Sequence, residues 1–383
     1  MSQPNIPKVT LSLVDGFAGG GEYLGQDGSG SVDGTPLLML RAVHVARAAI
    51  NKGRTITQRE IDAEFFFVEK KQESARYLKE HLTRRRAEGV IADRDYQKVQ
   101  IANAGFLDEL PRIVARIKAR RNGCRSIFLL DQYSYNAVPM QKLRRLMSEL
   151  PGAEVILTFN VDSLLTFLSD SENNRKAVRT IDLEQYIPWE QLKYLKTQRD
   201  WRTTLQRHIA HGIKTETGAP FVTLFFVRPQ ESNSWSYWLV HLSQRYKAHD
   251  VMKSLHWEHS SEFGHELEPG LFMLGYNPRK DEDYSGQSSL LFDQSGEQRC
   301  VAALTEQFGR LLAERRQPVS VAQLFNENIS NTMADESRLQ MVLRGMHAAG
   351  SIVVSSKNDR LRRPSKLYVP TDVIEHSRQI ILG

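Results

Sequence analysis

Four polar side chains occupy one kind of position in this sequence: Asp15, Glu69, Asn103 and Asp131 each stand where a short apolar run stops. The runs cover residues 9–14, 63–68, 99–102 and 126–130, and each has the length and β-branched or aromatic content of a buried strand. Carboxylates and a carboxamide at such places accept hydrogen bonds from amines and hydroxyls. The first run passes at once into Asp15-Gly16-Phe17-Ala18-Gly19-Gly20-Gly21, the pattern of a strand delivering a glycine loop. Such a loop lets backbone approach a nucleotide or nucleoside-like cofactor. Within it Asp15, Phe17, Ala18, Gly19 and Gly21 are the candidate contacts. Glu69 is the candidate acceptor for ribose hydroxyls, and Asn103 and Phe106 would flank the base.

The elements that must hold these residues follow in chain order. A polar, glycine-rich insert at 26–34 ends at Thr35-Pro36, where Thr35 is a candidate cap for a helix over 37–52. Helices follow at 71–86, from 106 to 120 and at about 139–150, and a fifth strand at 154–160. Strands separated by helical segments form a parallel sheet with right-handed crossovers, and ligands sit beyond the carboxyl ends of its strands. Residues 161–218 break the rhythm with polar helical segments and read as a helical cap insert over the site. Strands at 220–227 and 236–242, joined by too short a link for a crossover, must be antiparallel. The expected fold class is therefore α/β: a class I methyltransferase-like Rossmann sheet, parallel with an antiparallel terminal hairpin.

The last part of the chain changes character. After a mixed stretch at 261–298, residues 301–315, 319–327 and 334–349 read as three helices, with Ser320 as a cap and Gly350 as a stop. Residues 351–370 then read as a hairpin with a basic tip, which makes a C-terminal winged helix over 299–383. Arg360, Arg362, Arg363 and Lys366 in that wing are the candidate nucleic-acid contacts. The domain reading is thus 1–260 for the Rossmann part, 261–298 for a linker or irregular subdomain, and 299–383 for the winged helix.

Composition bounds the rest. With 383 residues, 40% of them hydrophobic, the chain can bury a full core in two domains. No apolar run approaches the ~20 residues of a membrane span, so no membrane role is expected and the expected location is cytoplasmic. Two cysteines without CxxC spacing indicate neither a disulfide framework nor a cysteine zinc site. His256, His259 and His265 cluster with Glu258 and Glu262, yet at spacings that match no metal motif, and no metal is expected. The net charge of +6 favours polyanionic partners, although each basic run also reads as a solvated helix face.

The segments 15–23, Leu129-Leu130-Asp131-Gln132-Tyr133, and 237–243 with His249-Asp250-Val251-Met252 resemble the three-Cys-motif partner proteins, TcmP. The resemblance implies a methyltransferase-like Rossmann domain, a terminal winged helix, and a partner that carries a three-cysteine motif. Relatives commonly have Asp-Pro-Tyr-Gly after the fourth strand, where this chain has Asp131-Gln132-Tyr133-Ser134-Tyr135. Methyltransferases that act on exocyclic base amines use an acid or amide there to accept from the amine, and an aromatic to stack the flipped base. Asp131 and Gln132 are accordingly the candidate acceptors, and Tyr133 or Tyr135 the stacking ring, or else packing beneath the cap. The reading is an S-adenosylmethionine-dependent methyltransferase acting on nucleic acid with that partner. The alternatives are a non-catalytic subunit that binds the cofactor or serves as scaffold, and a chain that positions substrate for a catalytic partner.

Overall fold

A computed structural model of the chain describes residues 7–25, 30–55, 58–120, 125–132, 135–199, 201–227, 237–259, 263–265, 270–271, 290–315, 317–358, 360–364 and 367–377. The chain divides into two compact units, residues 1–158 and 159–383. The first begins with β1 (Lys8–Asp15), a small hairpin of β2 (Glu22–Leu24) and β3 (Ser31–Asp33), and α1 (Thr35–Asn51). It continues through β4 (Glu60–Val68), α2 (Gln72–Ala87), α3 (Asp93–Tyr96), β5 (Val99–Ala102), α4 (Phe106–Ala119), β6 (Arg125–Leu130), α5 (Met140–Glu149) and β7 (Gly152–Phe159).

Its strands run parallel in the order β7-β6-β1-β4-β5, the doubly wound order in which the chain reverses direction beside β1. Leu13, Ala63, Phe65 and Phe67 pack one face of this sheet with Leu37, Leu40 and Val43 of α1 and Leu78 and Leu82 of α2. The amino end of the sheet is fastened by charge. Arg120 donates to the Leu11 and Asp62 carbonyls at 2.9 and 3.0 Å and lies 3.4 Å from the buried Glu64. That network holds the strand starts and leaves the opposite ends for a ligand.

The second unit opens with helices, α6 (Val161–Phe167), α7 (Glu172–Arg179), α8 (Leu192–Leu195) and α9 (Trp201–Thr217). The polar segment 161–218 is therefore helical, as its sequence predicts. The strands β8 (Phe221–Val227) and β9 (Tyr237–Ser243) pair antiparallel in full register, Phe221 opposite Ser243 and Val227 opposite Tyr237. After α10 (Tyr246–Glu258), β10 (Phe263–His265) pairs antiparallel with β8, and β11 (Leu290–Leu291) with β10. The mixed stretch after α10 thus contributes edge strands among its described residues.

The chain ends in a winged helix: α11 (Gln294–Glu314), followed by β12 (Val319–Ser320), α12 (Val321–Asn328), α13 (Glu336–Ala348), β13 (Ile352–Ser355) and β14 (Val373–His376). Ser320 caps the second of these helices, its hydroxyl accepting from Gln323 N at 3.1 Å, and Gly350 stops the third at φ +72°. Two expectations are corrected. The helix after the insert is capped by Gly34, with no side-chain cap from Thr35, which is its first residue. The wing's second strand is 373–376 and not the run before Pro370, because Tyr368 turns inward, 1% exposed, and its backbone N and O pair with Gln340 at 2.9 Å each. The α/β fold class with a mostly parallel sheet, an antiparallel hairpin and a C-terminal winged helix is the one observed.

Candidate functional site

Register alone brings the acids together. Asp15 ends β1 level with Phe67 of β4 and Leu129 of β6, so Glu69 and Asp131 each lie two residues farther along a neighbouring parallel strand. Three carboxylates therefore gather at the carboxyl end of the three central strands, where a doubly wound sheet binds its ligand. Among the described residues none of the three forms an ion pair with a lysine, arginine or histidine. Asp15 is 2% exposed, and burial pushes its carboxyl up to about 7. The Phe17 N–H, which donates to it at 3.0 Å, opposes that rise, while the charges of Asp131 and Glu69 add to it. A concentration of negative charge without a cation of its own is a site prepared for a positively charged ligand.

The loop after β1 is shaped by its glycines. Gly19 and Gly21 have φ of +60° and +82°, conformations open to glycine at little cost. A Cβ on Gly16 would fall 2.7 Å from Leu130 and 2.9 Å from Phe106. The loop's amides, however, are used within the protein. Gly16 N donates to Leu129 O and Ala18 N to Val68 O, both at 2.9 Å, and Gly19 N donates to the Glu69 carboxylate at 2.9 Å. The N–H groups of residues 16–19 thus hold the loop to its neighbours.

Glu69 is half-buried and couples this loop to the next one, since its second oxygen accepts from Lys71 N at 2.7 Å. Each oxygen keeps a lone pair for a hydroxyl. Asn103 stands beside it, as the pairing of Val68 with Ala102 requires, but its carboxamide N–H group is turned to the Glu69 and Lys70 carbonyls at 2.9 and 3.0 Å. Its contribution is to brace that turn. Phe106 is buried at the start of α4, and its ring centroid is 6.0 Å from that of the half-buried Phe17. The two rings wall the same side of the loop.

On the fourth-strand side Asp131 is exposed and accepts from the Thr158 hydroxyl at 2.8 Å, a partner the pairing of Leu130 with Leu157 sets at its level. Gln132 differs from expectation. It is buried, its carboxamide oxygen accepts from Ala137 N and Val138 N at 3.0 and 3.1 Å, and its NH2 donates to Thr158 O at 3.1 Å. It braces the turn after β6, so the expected role as a second acceptor would compete with three bonds already made. Tyr135 is half-buried, and burial raises its phenol above the usual range. Tyr133 lies outside the described residues.

One residue at the site was not singled out for a role by the sequence reading. Tyr23, on β2, has its hydroxyl 3.3 Å from where a Cβ on Gly19 would stand. The signal for it is its place in the same segment as the glycine loop, two residues after Gly21. A cavity of about 420 Å³ lined by Arg47, Arg59, Glu60 and Asp95 opens at the amino end of β4, away from the acids.

In the wing, Arg360 and Arg363 are exposed, and among the described residues neither forms an ion pair. Arg362 does: its guanidinium holds the buried Asp372, which also accepts from Val369 N at 2.8 Å. That arginine is a strut of the wing. Lys366 lies outside the described residues.

Comparison with known proteins adds the following. Residues 275–359 match the family described as GMT-like wHTH domain. No curated protein matches the chain. Among solved structures it is similar to protein LPL1258 from Legionella pneumophila str. Philadelphia 1, of family-model DUF519, at 9% identity over 64% of this chain and 83% of that one, with a TM-score of 0.33. It is also similar to an rRNA methylase from Streptococcus thermophilus, at 8% identity over 62% and 88% of the two chains and a TM-score of 0.28. A third is the bifunctional kinase-methyltransferase WbdD, at 12% identity over 61% of this chain and 34% of that one, with a TM-score of 0.26. No residue role is carried over from these structures.

Proposed function

We propose that the first unit binds S-adenosylmethionine and that the chain is a methyltransferase-type protein acting on nucleic acid. The observation that carries the reading is the group of three carboxylates, Asp15, Glu69 and Asp131, gathered at the ends of β1, β4 and β6 with no ion pair among the described residues. S-adenosylmethionine is a nucleoside bearing a sulfonium and an ammonium, which suits such a group, and when bound it supplies an activated methyl group. Asp15 accepts from the ammonium, and Glu69 from the ribose hydroxyls. Phe17 and Phe106 stand together at the loop, with ring centroids 6.0 Å apart. Asp131 accepts from the amine to be methylated and orients its lone pair, with Tyr135 the described candidate for stacking the base.

The winged helix supports a nucleic-acid substrate through the exposed Arg360 and Arg363. A three-Cys-motif protein as partner, with membership of the TcmP family, follows from the resemblance in the sequence and belongs to the same proposal. A second reading, cofactor binding without methyl transfer, is favoured by one observation: the Gln132 carboxamide is spent on the turn it braces.

Calorimetric titration with S-adenosylmethionine and S-adenosylhomocysteine tests the binding claim. The expected result is micromolar affinity that falls by at least tenfold, about 1.4 kcal/mol, in Asp15→Ala and in Glu69→Ala. Absence of binding at millimolar ligand by a folded wild-type protein would overturn it. Where binding is found, transfer of a labelled methyl group to DNA or RNA, with and without the partner, separates the two readings.

A further inference from the structure

The glycine loop does not run directly into α1. The β2–β3 hairpin stands between them, with Glu22 opposite Asp33 and Tyr23 opposite Val32. Both ends of the hairpin are pinned by charge. Glu22 accepts from Arg84 at 3.0 Å and from the Tyr77 hydroxyl, with His81 Nδ1 at 3.3 Å, and Asp33 meets Arg41 and, at 3.4 Å, Arg85. Gly34 N donates to Gly21 O at 2.8 Å and ties the two ends of the excursion together.

Tyr23 sits between these anchors and is 56% exposed. Its ring is seated on bare backbone: a Cβ on Gly34 would lie 3.1 Å from Tyr23 Cε2, and one on Gly19 would lie 3.3 Å from its hydroxyl. The ring therefore spans the loop and leaves the rest of its surface to a ligand. Partial burial and then the charges of Asp15, Asp131 and Glu69 raise the phenol above its usual range, so it stays protonated and able to donate.

An amino-acid group that gives its ammonium to Asp15 brings its own carboxylate into the neighbourhood of three others. That carboxylate needs a donor. The amides of residues 16–19 are all engaged, with Leu129 O, Asp15, Val68 O and Glu69 in turn. Among the described residues, the Tyr23 hydroxyl is a side-chain donor at the loop. Resting on the S-adenosylmethionine reading above, we propose that Tyr23 is a cofactor-binding residue whose hydroxyl donates to the cofactor's α-carboxylate while Asp15 accepts from its α-ammonium.

Two ligands separate this from a packing role: S-adenosylhomocysteine, which carries the amino-acid end, and 5′-methylthioadenosine, which lacks it. In Tyr23→Phe, which keeps the ring, S-adenosylhomocysteine should bind about tenfold more weakly, as loss of a hydrogen bond to a charged group implies. Methylthioadenosine should bind as it does to the wild type. An unchanged affinity for S-adenosylhomocysteine, or an equal loss for both ligands, overturns the assignment while leaving the cofactor reading in place. Failure of wild-type protein to bind either ligand overturns the cofactor reading itself, and the assignment with it.

Discussion

Asp15 is a buried acid whose cost is set by pH. In the unfolded chain its carboxyl ionises near 3.8, and in the folded protein burial holds it protonated up to about 7. Between those values the folded state binds the extra proton, so stability falls as pH rises through the window and has lost this contribution above it. The separation corresponds to roughly 4 kcal/mol as an upper figure. Asp15→Asn should therefore stabilise the ligand-free protein, by about 2–4 kcal/mol at pH 8 and by less at pH 5. Thermal unfolding of both proteins at the two pH values checks this, and an equal gain at both would show that the acid is not the source. The same substitution removes the carboxylate charge proposed to face the ammonium, so stability and ligand affinity should move in opposite directions, as they do where a site is held strained for function.

At the scale of elements, the winged helix is built onto α10 through a buried lysine. Lys253 is fully buried and donates to the carbonyls of Ile329, Thr332 and Ala334, in the segment that leads into the helix Glu336–Ala348. Asp250 accepts from Glu336 N at 2.7 Å, and Trp257 donates to Met333 O at 3.0 Å. Lys253→Met keeps the apolar stem and leaves three buried carbonyls without their donor, which should cost about 3 kcal/mol. A lowered denaturation midpoint with an unchanged circular dichroism spectrum is the expected result, and an unaltered midpoint would mean that the Lys253 hydrogen bonds contribute nothing. Elements of this kind also mark how far the sequence can be read. The strands of the sheet were legible because each is a run of apolar residues closed by a polar one, and parallel register then brings Asp15, Glu69 and Asp131 together. Hydrogen bonds between distant segments were not. Nothing in the local pattern reveals that Asn103 and Gln132 spend their carboxamides on backbone, or that Tyr368 leaves an apparent strand to plug the winged helix.

For the molecule as a whole, the excess of positive charge is smaller as a binding surface than its count suggests. Arg84, Arg85 and Arg86 look like a basic patch in the sequence, yet they pair with Glu22, with Asp33 and Glu88, and with Asp93. Their work is to hold the β2–β3 hairpin and the end of α2. The wing separates its arginines in the same way, Arg362 serving Asp372 while Arg360 and Arg363 remain exposed without an ion pair among the described residues. If the wing meets phosphates, only the exposed pair should register in the salt dependence of binding, because each phosphate contact releases condensed counterions. Arg360→Ala with Arg363→Ala should lower the slope of log K against log salt by about 1 to 2 for duplex DNA or RNA, with affinity falling alike across sequences. The melting temperature should stay within about 1 °C, as expected of exposed side chains without structural partners. Arg362→Ala should do the reverse, destabilising the wing by uncovering the buried Asp372 while leaving the slope nearer the wild-type value. Filter binding across a salt series, read beside thermal unfolding of the same variants, distinguishes the two classes of arginine. Equal salt slopes for wild type and the double variant would remove the wing from any nucleic-acid interface and leave that task to another surface of the chain.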